Sequence, residues 1–378
     1  MNIYLDYNAS GLVRPEVRDA VIDAMSPGGN PSAVHALGRK ARARVETARA
    51  AVAELVGADP TSIIFSSGGT ESNAQAIASA VAAGCERVIV NATEHPCVAE
   101  AAAHAGVPVE VMPVDGLGVA DLDWLENALS DGVRTFVALH HANNESGVIQ
   151  PVERAAELVH AQGGWMHVDA IQTLGKIEVD IRKLGADTVT LSAHKIGGPQ
   201  GVGALVVAEG KNAIRIVHGA GQERGLRAGT ENVPGIAGFG AAAICVQREM
   251  GEGIDHSAWR DAAEARVKAA GATIVGYGAP RLPNTLFMAV EGWDSPQQLI
   301  SLDLAGVMIS AGSACSSGKV KPSKTMLAMG LDHLATGGVR ISGGWGTVES
   351  DWVRFADAWI AAWEKHQSRH PSGVKKVA

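Results

Sequence analysis

Between Pro15 and Ala208 the sequence switches repeatedly between short apolar runs of strand character and longer Ala-rich runs at helical spacing. This alternation predicts βα units around a mainly parallel sheet. Strands are expected at 62–65, 87–91, 109–113, 134–139, 165–168, 187–191 and 202–207, with helices at 38–56, 71–83, 121–129 and 152–161 among them. A long Ala-rich helix at 233–249 leads into Gly251-Glu252-Gly253, where the pattern changes. The C-terminal third reads as α+β: helix 257–270, strand 284–290, helix 296–304, a Ser/Gly loop 310–322, helix 323–329, strand 337–341 and a last helix 349–365. At 378 residues the chain exceeds what one core usually holds, so two domains are expected. The reading is an α/β fold with an N-terminal segment (1–14) against the small domain, a large domain (15–250) and a smaller α+β C-terminal domain (251–378).

A formal charge of −8 argues against non-specific binding to nucleic acid or to an anionic membrane. The start, Met1-Asn2-Ile3-Tyr4-Leu5-Asp6, has neither a basic nor an apolar leader region, and the nearly apolar stretch from Ile236 to Val246 is too short to span a bilayer. A cytoplasmic protein is expected. Its four cysteines, Cys85, Cys97, Cys245 and Cys315, show no zinc spacing and read as free thiols. Trp352, Trp359 and Trp363 recur at helical spacing without interleaved basic residues, which suits core or interface packing rather than base stacking. The segment from His366 to Ala378 reads as a frayed polar end.

Two of the predicted strands run into groups that form a chemical pair. Gly164-Trp165-Met166-His167-Val168 leads to Asp169, and Thr188-Val189-Thr190-Leu191 leads to Ser192-Ala193-His194-Lys195. Both groups would lie at carboxyl ends of strands, where open α/β sheets bind ligands. Singly they suit a solvated lysine and a capping aspartate. Together they match pyridoxal phosphate (PLP), which needs a lysine to bond its aldehyde and an acid to keep its pyridine nitrogen protonated.

Other segments are compatible with such a site. Ser66-Ser67-Gly68-Gly69-Thr70-Glu71 lies between a strand and a helix, and suits either a phosphate cup or an ordinary capped helix start. No Walker loop or dinucleotide-type glycine motif is present. His95, after another strand, could stack on a cofactor ring or exchange protons. In His140-His141-Ala142-Asn143-Asn144-Glu145 the neighbouring histidines would point to opposite faces, which disfavours a metal site and leaves Asn144 as the better contact. Cys315 lies in a loop of small residues that leaves its sulfur uncrowded, whereas Cys245 sits in an apolar helix. Arg340 ends a strand and could clamp a substrate carboxylate or make a surface salt bridge.

In sequence order, these pieces resemble the NifS/IscS-type cysteine desulfurases of the class V aminotransferase family. The match runs from Tyr4-Leu5-Asp6-Tyr7-Asn8-Ala9 through Gly29-Asn30-Pro31-Ser32, Ser67-Gly68-Gly69-Thr70-Glu71-Ser72-Asn73 and Asn143-Asn144-Glu145. It continues through Asp169, Gln172, Ser192-Ala193-His194-Lys195, Arg224-Gly225-Leu226-Arg227-Ala228-Gly229-Thr230-Glu231-Asn232 and Ser313-Ala314-Cys315-Ser316-Ser317-Gly318 to Arg340-Ile341-Ser342. The resemblance implies the PLP-dependent transferase fold of type I, with Lys195 holding PLP, Asp169 on the pyridine nitrogen, Gln172 on the ring hydroxyl and His95 stacked on the ring. It implies that Gly69, Thr70, Ser192 and His194 hold the phosphate, with Thr230 reaching it from the partner subunit of a homodimer. Asn144 and Arg340 would bind the carboxylate of L-cysteine, and Cys315 would take its sulfur as a persulfide for an acceptor such as an iron-sulfur scaffold protein. No resident metal is expected, although Cys315 could ligate an iron-sulfur cluster transiently.

A free thiol, with a pKa of about 8.5, is mostly protonated at neutral pH, so His95 is the expected proton acceptor for Cys315. Two other readings keep the scaffold: a selenocysteine lyase or other class V aminotransferase, and a non-enzymatic sulfur-relay protein. Cys315 speaks against simple transamination, and Lys195 with Asp169 against the relay.

Overall fold

The structure is a computed structural model that describes residues 2–26, 28–252, 256–312 and 321–369. A seven-stranded sheet runs in the order Ile63–Ser66, Gly203–Val207, Thr188–Ser192, Trp165–Asp169, Thr135–His140, Arg87–Asn91, Val109–Met112. Gly203–Val207 is antiparallel to both neighbours and every other pairing is parallel, which matches the mainly parallel sheet expected. Alternate residues feed opposite cores because strand side chains alternate between faces. In Thr135–His140, for example, Val137 and Leu139 pack with Val45, Val159 and Phe239, while Phe136 and Ala138 pack with Ile77, Val98 and Ala102. Those contacts come from helices Ala36–Leu55, Val152–Ala161 and Val233–Glu252 on one face, and Gly69–Ala82 and Pro96–Ala103 on the other. Helix Pro96–Ala103 was not among the expected elements; Pro96 starts it, with a φ already suited to a first turn.

A second sheet has the antiparallel order Ser310–Ala311, Val339–Ser342, Thr285–Ala289, Thr273–Ile274. Its core holds Trp293, Trp352, Trp359 and Trp363, so the tryptophan periodicity is core packing. Gln298 Oε1 accepts a 2.9 Å hydrogen bond from Trp359 Nε1, which satisfies the buried indole. The N-terminal Ile3–Tyr4 pairs in parallel with Val307–Met308, and Ile3 and Leu5 enter this second core. The frayed-end expectation needs correction at His366, because the last helix runs Glu349–Arg369. The His366 ring stacks on Trp293 at 5.3 Å and on Trp363 at 5.6 Å, which ties down the extra turn.

Candidate active site

Asp169 and Ser192 are the last residues of adjacent parallel strands, and Lys195 lies in the short helical turn Ala193–Ile196 that comes next. Gly197 closes that turn at φ 80, a conformation that side chains resist. A cavity of ≈ 210 Å³ opens here, lined by Gly69, Thr70, His95, Asn144, Asp169, Gln172, Ser192, His194 and Lys195. Nine expected site residues are thus brought together. Gly69, Thr70, Ser192 and His194 also line an adjoining cavity at the start of helix Gly69–Ala82, where unpaired backbone N–H groups and the helix dipole favour an anion. Close packing makes this cup: a Cβ on Gly203 would come within 2.7 Å of the Gly68 Cα and of the Leu191 carbonyl.

Lys195 Nζ donates to the backbone carbonyls of Asn8 at 2.6 Å and Ala9 at 2.9 Å. Burial, reinforced by the Arg340 charge, pushes its pKa down to about 8, which favours the neutral, nucleophilic amine. Asp169 is held at both oxygens, by Asn73 Nδ2 at 2.9 Å and the Ile171 N–H at 3.0 Å. Burial and then the Glu94 charge raise its pKa, and the two hydrogen bonds oppose them. Because Asn73 donates from Nδ2, its Oδ1 accepts from His167 Nε2 at 2.9 Å, leaving His167 Nδ1 to accept from the Thr188 hydroxyl at 2.9 Å. Motif reading misses this orienting chain. Its one trace in the sequence is that His167, two residues before Asp169, shares its face of the strand.

His95 caps helix Pro96–Ala103, with Nδ1 accepting from the Cys97 N–H at 3.2 Å and lying 2.9 Å from the Cys97 sulfur. An acceptor at Nδ1 puts the proton of the neutral ring on Nε2. In that tautomer the edge of His95 away from the cap is a donor, and the proton transfer expected between Cys315 and His95 involves a residue outside the described ones. Desolvation by the cavity walls lowers the His95 pKa, although the residue stays exposed at the cavity mouth. Cys97, which lines the same cavity, has its thiol pushed up to about 11 by burial and is a poor nucleophile.

Arg340 is buried, donating to Asp6 Oδ1 at 2.8 Å and to the Asn144 carbonyl at 2.9 Å. Its Nε is buried without a partner, and Arg340 is not among the residues that line the cavity. Gln172 donates to the Asn8 carbonyl and accepts from Lys176 Nζ at 3.0 Å. Asn143, by contrast, shapes its own loop through Glu145, Ser146 and Thr93. Thr230 is exposed and lines a different cavity, which shares Ser67 and Gly201 with the phosphate cup. Cys315 lies outside the described residues.

A family model described as aminotransferase class-V matches residues 3–351. The chain belongs to the class V aminotransferase family. It is 40% identical over 339 residues to "Cysteine desulfurase IscS 1" of Archaeoglobus fulgidus, covering 87% of this chain and 88% of the relative. Among solved structures, a NifS-like protein from Rickettsia africae superposes with a TM-score of 0.88 at 30% identity, covering 96% of this chain and 100% of that one. "SspA in complex with cysteine" superposes with a TM-score of 0.78 at 29% identity, covering 90% and 98%. Class V enzymes of this kind are PLP-dependent, and the class V site here suits that group: a buried carboxylate, an amine of lowered pKa and a helix-start anion cup meet in one cavity.

Proposed function

We propose that the protein is a cysteine desulfurase that converts L-cysteine to L-alanine and keeps the sulfur as a persulfide on Cys315. The observation that carries this reading is the Lys195 amine, depressed to about 8, in one cavity with the buried Asp169 carboxylate. When bound, PLP supplies an electron sink for the substrate's α-carbon. Lys195 would hold it and move the α-proton, Asp169 would hold the ring nitrogen, Gln172 the ring hydroxyl, and Gly69, Thr70, Ser192 and His194 the phosphate. Arg340 and Asn144 would bind the substrate carboxylate. His95 would stack on the ring and present its Nε2–H to the departing sulfur. The Cys315 thiolate attacks that sulfur; the C–S bond breaks, an S–S bond forms, and the carbon is protonated to give alanine.

The chain would work as a cytoplasmic homodimer in which Thr230 completes the partner's phosphate cup. Its exposure and its place in a cavity adjoining the cup support this, as do the exposed Leu12, Val13, Ile22 and Met25. The parts would be the N-terminal segment 1–14, a large PLP-binding domain 15–250 and a small domain 251–378 bearing Cys315. The sulfur would pass to an acceptor protein of iron-sulfur cluster assembly or tRNA thiolation. Among the described residues no helix is long and apolar enough to cross a membrane. The decisive experiment incubates purified protein with L-cysteine and measures alanine together with the mass of the Cys315 peptide. Stoichiometric alanine with an added sulfur on Cys315, both lost in Cys315→Ala, supports the reading; undiminished turnover in Cys315→Ala refutes it.

A further inference from the structure

Gln172 reaches the cofactor cavity from the turn after Asp169, and its buried amide has two chemically different ends, Nε2 a donor and Oε1 an acceptor. Each end has a partner. Nε2 donates to the Asn8 carbonyl at 3.0 Å, and Oε1 accepts at 3.0 Å from Lys176 Nζ, four residues along the chain. Lys176 Nζ also donates to Asn8 Oδ1 at 2.8 Å, so the amine bridges the Gln172 amide to Asn8. Asn8 is a firm anchor. Its backbone N–H donates to Ser342 Oγ at 2.9 Å and its Nδ2 to Thr285 Oγ1 at 2.9 Å, both in strands of the second sheet, while Oδ1 also accepts from Asn284 Nδ2 at 3.3 Å. Lys176 itself is not among the residues that line the cofactor cavity; with Lys195 and Asn284 it lines a separate one of ≈ 350 Å³.

These contacts fix which way round the amide lies. Turning it over would set Oε1 against the Asn8 carbonyl oxygen, two acceptors face to face, and would take from Lys176 the acceptor it now has. Burial, and then the Lys195 and Arg340 charges, lower the Lys176 pKa, but an amine and an ammonium both donate, so the bridge is the same in either charge state. We infer that Lys176 is a positioning residue for the cofactor: it occupies Oε1 of Gln172 and so leaves the second Nε2–H as the group offered to the ring oxygen of PLP. An N–H there favours the ionised ring oxygen, whereas an amide carbonyl would repel it. The inference rests on the PLP reading of the site and extends it to a residue that touches neither cofactor nor substrate.

The test uses the full-length protein reconstituted with PLP. Affinity is read by equilibrium dialysis, and the share of bound PLP whose ring oxygen is protonated is read from the short-wavelength absorption at one pH and full occupancy. Lys176→Met removes the bridge, so affinity should fall about three- to tenfold and the protonated share should rise at least about twofold. Gln172→Ala should do the same, and Lys176→Met/Gln172→Ala should be no worse than Gln172→Ala, because the lysine acts through the amide. Lys176→Gln, which keeps an N–H donor, should retain more of both than Lys176→Met, and takes its place in the cycle should Lys176→Met fail to fold. A parent with a visible band and a Lys176→Met variant that binds and absorbs like it overturn the inference alone. A double variant weaker than Gln172→Ala by the factor that Lys176→Met costs the parent also overturns it, in favour of charge or packing. A parent with no visible band removes the PLP reading and the inference together.

Discussion

The Lys195 amine offers the sharpest quantitative test. An ordinary lysine, at 10.5, is neutral in only about one molecule in three thousand at pH 7, whereas at about 8 the fraction is about one in ten. The environment thus enlarges the reactive fraction about 300-fold at pH 7. Burial is the leading cause and the Arg340 guanidinium the next, so Arg340→Gln should move the midpoint part of the way back up. The assay is pulsed acetylation of the apoprotein from pH 6 to 11 with quantification of each lysine peptide by mass spectrometry. Lys195 should label with a midpoint near 8, and Lys183, which its Glu178 partner holds above the usual lysine value, should label only at much higher pH. Coincident profiles for the two lysines would refute the argument that desolvation activates Lys195.

Three further outcomes are expected. Gly203→Ala drives a methyl against the Gly68 and Leu191 backbone, so it should cost about 1–3 kcal/mol in urea unfolding and weaken PLP retention; unchanged retention would count against the close-packed cup. Arg49 and Glu223 form a buried bidentate pair at 2.8 Å, so Arg49→Met should cost about 3–5 kcal/mol in the same assay, with partial recovery in Arg49→Met/Glu223→Leu; a loss under about 1 kcal/mol would show the pair to be dispensable. Burial holds His141, His167 and His194 each at about 4, below the value of about 6.5 for an unfolded chain. Between those values the unfolded chain binds more protons, so apoprotein stability should fall as pH drops from 6.5 toward 4, and less steeply in His167→Gln. Equal urea midpoints at pH 7 and 4.5 would contradict it.

Much of the fold was legible because buried parallel strands must be continuously apolar and their flanking helices periodic. The expected strands at 87–91 and 165–168 correspond to Arg87–Asn91 and Trp165–Asp169, and the helix at 152–161 to Val152–Ala161. The pairing of Lys195 with Asp169 could be read too, since each comes after such a strand and ligands collect at strand ends. Helix Pro96–Ala103 escaped because eight Ala-rich residues carry too little periodicity to stand out.

Local residue chemistry by itself thus determined the layered α/β architecture and the identity of the amine and carboxylate. Tertiary structure alone decided what surrounds them. The carbonyls of Asn8 and Ala9 meet Lys195 across more than 180 residues, and His167 orients Asp169 through Asn73. Such partners leave no periodic trace, because hydrogen-bond choice and desolvation depend on which surfaces the folded chain presses together, and those same forces set the charge each group carries.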